Sequence, residues 1–243
     1  MMSAPFLIFG ATGGVGSALA SKLSGKNFPL VLSGRNDAAL SELADSLSAK
    51  AIVGDVTSED DLSGIVDGAV TDEGLAGLAF CVGSIDLKPL RRVSADDLTA
   101  AFQLNAVSAA LAIQKAVPAL KKAKGSVVLF STIAVEQGFT NHAIVSAAKG
   151  AVEGLCRALA ADLAPDVRVN VVAPSLMDTQ LAAPITQSEA MAQGIAKLHP
   201  IPRLGEADDA AALAAFLLSD ESPWITGQIM RVDGGRSHLR TKG

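Results

Sequence analysis

The sequence predicts an α/β protein: one doubly wound parallel sheet of about seven strands with helices on both faces. Three observations predict it. Short runs rich in aliphatic and β-branched residues alternate with longer helical patterns along the 243 residues. Several of the short runs are apolar almost throughout, as strands buried on both faces of a parallel sheet must be. A glycine-rich turn follows the first run and leads directly into a helical pattern.

The elements follow in order. The stretch "FLIFGATGGVGSALASKL" gives a strand over Phe6–Gly10, a turn and a helix. A second strand is expected over Leu30–Gly34, followed by the helix "NDAALSELADSL", capped at Asn36 or Asp37. Further strands are expected over Ala51–Val56 and Leu78–Val82. The long pattern "SADDLTAAFQLNAVSAALAIQKAVPALKK" opens on Ser94 with Asp97 three residues on, a cap with its acidic partner. Ser126–Ser131, Arg168–Ala173 and Gln228–Val232 supply the remaining strands, with "SAAKGAVEGLCRALAADLA" and "EADDAAALAAFLLSD" as helices between them. Right-handed crossovers connect such units. No linker, repeat or low-complexity stretch interrupts the pattern, so 1–243 is expected to form one domain. The exception to regularity is 176–204, which carries Pro184, Pro200 and Pro202 and is expected to be a lid or binding loop.

Composition narrows the function classes. Hydrophobic residues make up 49% and charged residues 19%, which argues against disorder. The net charge is −5 without a long basic run, so nucleic acid is not an expected partner. An acidic chain can still bind a phosphorylated ligand. Two cysteines, Cys81 and Cys156, make neither a disulfide framework nor a metal motif. The first residues lack a basic segment, so no signal peptide is expected. The apolar stretch from Ala106 to Leu120 contains Lys115 and Pro118 and makes a poor membrane span. A cytoplasmic protein without a membrane partner is the expectation.

The glycine-rich turn carries the first chemistry. Gly10, Thr12, Gly13, Gly14, Val15 and Gly16 lie where backbone must bend sharply and approach a ligand closely. The helix N-terminus behind them offers free N–H groups and a partial positive charge, which suits a pyrophosphate. The second strand ends "LVLSGRND", with no acid at Gly34 to hold ribose hydroxyls and with Arg35 next. A guanidinium fits a 2′-phosphate by fork geometry and charge, so NADP(H) is expected over NAD(H). "GDV" at 54–56 places Asp55 and Val56 at the third strand's end. The Asp55 carboxylate either accepts from an adenine amine or caps the helix that begins near Ser58, or does both.

With these pieces placed, nearly the whole chain resembles the short-chain dehydrogenase/reductase family. "GATGGVG" resembles its T-G-x-x-x-G-x-G turn, with Phe9 at the first Thr. "GDV" resembles its adenine-site Asp, and Asn105 in "QLNAVSAA" its proton-relay Asn. "GSVVLFST" is similar to the strand leading to the catalytic Ser, here Thr132 with Ser131 beside it. "APSLMDT" is similar to the P-G-x-x-x-T segment over the nicotinamide, with Pro174 and Thr179 kept and Ser175 at the Gly. "ITGQIMRVDGG" is similar to the closing strand. The N-N-A-G of the fourth strand reads "FCVG", ending on Gly83. The resemblance implies a Rossmann fold, a dinucleotide cofactor, and roles for Asn105, Thr132 and Lys149. The Tyr of its Y-x-x-x-K motif falls on Val145, and the chain contains no tyrosine.

Val145 has no proton to give. A positioned general acid contributes about 10²–10⁴-fold, and holding the reactants together can contribute more, so a chain that keeps the cofactor site need not be inert. His142, three residues earlier, is the first candidate donor, because imidazole titrates near 6.5. Thr132 is the second, an aliphatic hydroxyl and a weaker acid. Ser146 is one residue off the required face, and Cys81 reads as packing. The expected function is an NADP(H)-dependent oxidoreductase with an altered proton relay, acting on a small carbonyl, alcohol or activated double bond. The alternative is an NADP(H)-binding sensor or scaffold; isomerisation or elimination has no positive support. Few charges in 176–204 suggest a neutral or apolar small-molecule substrate. Ala147, Ala151, Gly154 and Ala158 recur at helical spacing and permit close helix approach, either to the chain's own sheet or to a second copy; the resemblance implies a homodimer or homotetramer through this helix.

Overall fold

A computed structural model describes residues 4–186 and 188–241. Of the sequence readings, Met1–Ser3 at the N-terminus and Gln187 within 176–204 lie outside the described residues. Seven parallel strands form the main sheet: β1 (Phe6–Phe9), β2 (Leu30–Gly34), β3 (Lys50–Val53), β4 (Gly77–Phe80), β5 (Ser126–Phe130), β6 (Arg168–Pro174) and, last in the chain, Ile229–Val232. Between β6 and that strand come two short segments, β7 (Met177–Asp178) and β8 (Gly205–Glu206), which pair with each other; the closing strand is therefore β9. The sheet order is β3-β2-β1-β4-β5-β6-β9. The chain thus starts in the middle, winds outward to β3, then restarts beside β1 with β4.

Alternation along the strands divides the core. Leu7 and Phe9 of β1 face one hydrophobic cluster, and Phe6 and Ile8 face the other. The first cluster is completed by α3 (Glu59–Ala69), α5 (Ser108–Ala123) and α7 (Ala143–Leu163), through residues such as Ile65, Ile113 and Cys156. The second takes Leu19 from α1 (Gly14–Ser24), Leu40 from α2 (Asp37–Leu47) and Ala214 from α9 (Ala207–Leu218). Both faces of the sheet are covered, which is why its strands read as continuous apolar runs.

Several sequence readings are corrected at their edges. The third strand is shifted to Lys50–Val53, because the chain leaves the sheet at Gly54 and Asp55 and turns over Val56 and Thr57. Asp55 does not cap α3. The cap is Ser58, whose hydroxyl accepts from the Asp61 amide, while Asp55 accepts from the Thr57 amide and hydroxyl. The long helix from Ser94 is interrupted. α4 (Ala95–Phe102) carries the expected capping box, then a π turn over Gln103–Val107 leads into α5. The irregular 176–204 segment is bracketed by the β7–β8 pair and contains α8 (Glu189–Ala196). A short α6 (Ala134–Gln137) precedes α7.

Candidate active site

The reversal of strand order puts the carboxyl ends of β1 and β4 side by side, and a parallel sheet opens its ligand crevice at such a point. Gly10 leaves β1 in the left-handed region, φ +71°, against the backbone of Cys81. A Cβ on Gly16 would stand 2.2 Å from the Gly10 carbonyl oxygen, so only glycine lets the turn close. The first helical bond of α1 on the main chain runs from the Ser17 amide to Gly13. The amides of Gly14, Val15 and Gly16 therefore have no acceptor inside the helix.

One cavity is lined by this turn, by Gly10, Thr12, Gly13, Gly14, Val15 and Gly16. The same cavity reaches Arg35, Asp55 and Val56 on the β2–β3 side and Gly83 and Thr179 on the other. Every expected dinucleotide residue except Pro174 and Lys149 is thus on one wall system. Arg35 pairs with Asp55 at 3.7 Å, with 78% of the Arg35 side chain exposed. Hydrogen bonds from Thr57, aided by Arg35, hold the Asp55 carboxyl below its usual range.

A second cavity, of about 400 Å³, adjoins the first. The two share Val15, Cys81, Val82, Gly83, Thr179 and Leu181. The second is lined by Pro174, Thr132, His142, Val145 and Lys149, and by residues of 176–204 from Leu176 to Ile195. At the junction a Cβ on Gly83 would lie 2.8 Å from Lys149 Nζ and 2.9 Å from Asn105 Oδ1. Asn105 comes from the π turn, and its Nδ2 donates to the Ala101 carbonyl at 2.8 Å. Its Oδ1 is buried without a partner. Lys149 is 8% exposed, and burial pulls its ammonium down to about 8. Among the described residues it makes no ion pair or hydrogen bond. Among the described residues the two groups do not hydrogen-bond each other.

The proton-donor candidates separate by what they touch. Ser131 donates to Glu153 at 2.7 Å, so its hydroxyl is committed toward α7. Thr132 Oγ1 accepts from the Ala134 amide at 3.3 Å and keeps its own proton free. Ser146 donates to the Ala134 carbonyl and is not on the cavity wall. Cys81 is on the wall, but burial pushes its thiol up to about 12. His142 sits at the N-cap of α7 with Nδ1 2.7 Å from the Thr140 carbonyl. A carbonyl requires a donor, so Nδ1 carries hydrogen and Nε2 is the remaining nitrogen. Val145 is 6% exposed on the same wall.

Residues 10–237 match the family model for enoyl-(acyl carrier protein) reductase. A short-chain dehydrogenase/reductase of Arabidopsis thaliana, SDRA, is 32% identical over 239 residues, covering 94% of this chain and 92% of that protein. The chain belongs to the short-chain dehydrogenase/reductase family. Members of that family are oxidoreductases that use NAD(P)(H). Carbonyl reductase family member 4 of Danio rerio is 30% identical and covers 96% of this chain and 98% of its own. Among solved structures, a short-chain dehydrogenase/reductase from Mycobacterium ulcerans superposes with a TM-score of 0.91 at 29% identity, covering 99% of this chain and 92% of that one. The seven-stranded parallel sheet is thus the family's fold.

This short-chain dehydrogenase/reductase also carries groups that sequence reading missed. Ser175 donates to His199 Nε2 at 2.8 Å, and Arg236 lines the second cavity beside them. The signal for Arg236 was its place just past β9, at the sheet's carboxyl edge.

Proposed function

We propose that this protein is an NADP(H)-dependent reductase of small carbonyl compounds or activated double bonds, with a proton relay rebuilt around His142. The observation that carries the reading is the buried, unpartnered Asn105 Oδ1 beside the ammonium of the buried Lys149, which makes no hydrogen bond or ion pair among the described residues, at the junction of the two cavities. The free amides of the α1 turn suit a pyrophosphate, and Arg35 suits a 2′-phosphate beside it. Val56 and Thr179 close that cavity, and Pro174 continues its wall toward the substrate. When bound, the dinucleotide supplies the hydride. Lys149 holds ribose hydroxyls by its ammonium, and Asn105 Oδ1 accepts from a hydroxyl or an ordered water next to it. Thr132 donates a hydrogen bond to the substrate oxygen. His142 delivers the proton from Nε2, and its Nδ1 stays anchored on Thr140.

The apolar walls favour a substrate with a hydrocarbon body. Residues 1–243 act as one unit in this reading, with 176–204 as the lid over the substrate cavity. Self-association is part of it too. The small residues Ala147, Gly154 and Ala158 of α7 are exposed rather than packed on the sheet, which leaves that face free for a second copy.

A steady-state screen of NADPH oxidation over ketones, aldehydes and enones tests the reading. Turnover with NADPH in preference to NADH is the expected result. Tight NADPH binding without turnover across the panel would overturn it.

A further inference from the structure

Arg236 is the cation of the substrate cavity that nothing in the reductase chemistry employs. Its backbone is tied on both sides: its amide donates to the Asp233 carbonyl at 3.0 Å, and its own carbonyl accepts from Gln137 Nε2 at 3.2 Å. Asp233 attracts the guanidinium through space but lies beyond ion-pair distance, and its carboxylate accepts from the Gly235 amide and from the amide and hydroxyl of Ser237. The guanidinium carbon lies 4.8 Å from the centroid of the Phe139 ring. Among the described residues its single hydrogen bond is a long one, Nη1 to Ser175 Oγ at 3.5 Å.

Other arginines of the chain are better satisfied. Arg203 forks onto Asp209 at 2.6 and 2.8 Å, and Arg231 pairs with Glu136. Arg168 donates to the carbonyls of Leu217 and Ser219. A guanidinium carries five N–H donors. Arg236 is half-buried, yet among the described residues it has no carboxylate within ion-pair distance. Its open donors face a mostly apolar cavity, where leaving them unpaired is costly.

Ser175 cannot share the task of holding an anion. His199 is 4% exposed and has Nδ1 at 3.0 Å from the Ile195 carbonyl and 3.3 Å from that of Ala196. Nδ1 therefore carries the hydrogen, and Nε2 accepts the Ser175 proton at 2.8 Å. Ser175 is left with lone pairs to offer Arg236 and no proton to offer a ligand. The His199–Ser175 pair positions the guanidinium.

We infer that Arg236 is the anion-recognition residue of this cavity, and that the substrate is an oxo acid whose carboxylate is held by the guanidinium fork beside Phe139. The inference rests on the reductase reading for the reaction, not for the binding. A planar fork matches a carboxylate bidentately. Lys149 is assigned to the cofactor side, which leaves the Arg236 guanidinium as the cavity's fork for a substrate carboxylate. Phe139 also touches the His142 ring, at 5.3 Å between centroids, so anchor and proton donor stand within a small molecule's length of each other. The few charges of 176–204 suggested a neutral ligand; Arg236 lies outside that segment.

Two measurements test this. NADPH oxidation is followed with levulinate, 5-oxohexanoate and 7-oxooctanoate and with their methyl esters. The best acid should exceed its ester by at least about tenfold in kcat/KM, mostly through KM. Arg236→Gln should abolish that preference by lowering kcat/KM of the acid toward that of its ester, and Arg236→Lys should keep part of it. Separately, calorimetry compares hexanoate with hexanamide, on the free protein and with NADP+ added. Hexanoate should bind at least about tenfold tighter, and Arg236→Gln should erase the difference. Equal turnover of acid and ester, unaffected by Arg236→Gln, would sink this inference and leave the reductase standing. Arg236-dependent hexanoate binding with no turnover of any compound would do the reverse. Hexanoate binding no tighter than hexanamide in the wild type overturns the anion site.

Discussion

Replacing Val145 by tyrosine restores the phenol that the family motif places four residues before the lysine, and its effect can be sized from the structure. Val145 and Lys149 lie one turn apart on α7, so their side chains share a face. Both line the substrate cavity, with Thr132 and His142 on the same wall. The phenol would therefore extend into a cavity of about 400 Å³ rather than into the packed core, and the usual overpacking cost of about 1–3 kcal/mol is largely avoided. Lys149, with its pKa near 8, is mainly cationic at pH 7 and favours the phenolate after proton transfer. A positioned general acid is worth about 10²–10⁴-fold, or about 2.7–5.5 kcal/mol of barrier. In steady-state NADPH oxidation at pH 7, Val145→Tyr should raise kcat/KM within that range in the His142→Ala background and by less beside an intact His142, with NADPH affinity changed by less than about threefold. His142 sharpens the outcome. If it is the present donor, His142→Ala lowers the rate at least about tenfold, and Val145→Tyr gains more in the His142→Ala background than alone, a coupling that a double-mutant cycle reads directly. A folded, NADPH-binding Val145→Tyr protein with a gain below tenfold in both backgrounds would refute the view that the surrounding frame is catalytic.

Lys149 makes a pH prediction with a definite sign. Its folded pKa of about 8 lies below the ordinary 10.5, so the unfolded chain holds the proton more tightly, and stability of the free protein should rise between about pH 8 and 10.5 in denaturant melts. Lys149→Met should flatten that rise. NADPH affinity should instead fall as pH climbs through about 8 and the ammonium is lost, again without slope in Lys149→Met. Arg35→Ala should cut the preference for NADPH over NADH by tenfold or more in paired titrations. Its effect on melting should stay within about 0.5 kcal/mol, because the Arg35–Asp55 pair is mostly exposed. Sedimentation at micromolar concentration should show a dimer or tetramer, and Ala158→Glu on the exposed face of α7 should dissociate it; a monomeric wild type would defeat the assembly.

The sheet was legible because burial on both faces writes itself as apolar runs, and Leu30–Gly34 is recovered to the residue. Caps were legible where a side chain serves its own helix, as at Asn36 and Ser94. The π turn was not, because Gln103–Val107 continues the apolar spacing of the helices on either side, and the extra residue in the turn leaves no mark in composition. That turn nevertheless carries Asn105. Around the cavities, lining residues displayed by one local motif were legible: the glycine turn, Asp55 and Lys149. Groups that depend on distant partners were not. Ser131 meets Glu153 across 22 residues, Ser175 meets His199 across 24, and Arg236 reaches Ser175 across 61. Nothing in the residue types alone says which hydroxyl is committed and which is free.

Those long-range pairs change what the missing phenol means. Reduction of a carbonyl needs three separate services: a hold on the cofactor ribose, a hydrogen bond to the substrate oxygen, and a proton. In the proposed reaction Lys149 and Asn105 would serve the first, from side chains that meet at Gly83, and neither makes a hydrogen bond to the side chain at 145. Thr132 would serve the second, since Ser131 has turned its hydroxyl to Glu153. Only the third service is vacated by Val145, and the group beside the vacancy is an imidazole whose Nδ1 is fixed on a carbonyl. A fixed Nδ1 leaves Nε2 as the nitrogen that can take up and release a proton. Phe139 then links that imidazole to Arg236, so a carboxylate bound at the guanidinium would sit near enough to stabilise the imidazolium form. Substrate charge and proton supply would be coupled: the advantage of an oxo acid over its ester in kcat should shrink in His142→Ala, and an unchanged ratio would break the link between the two sites.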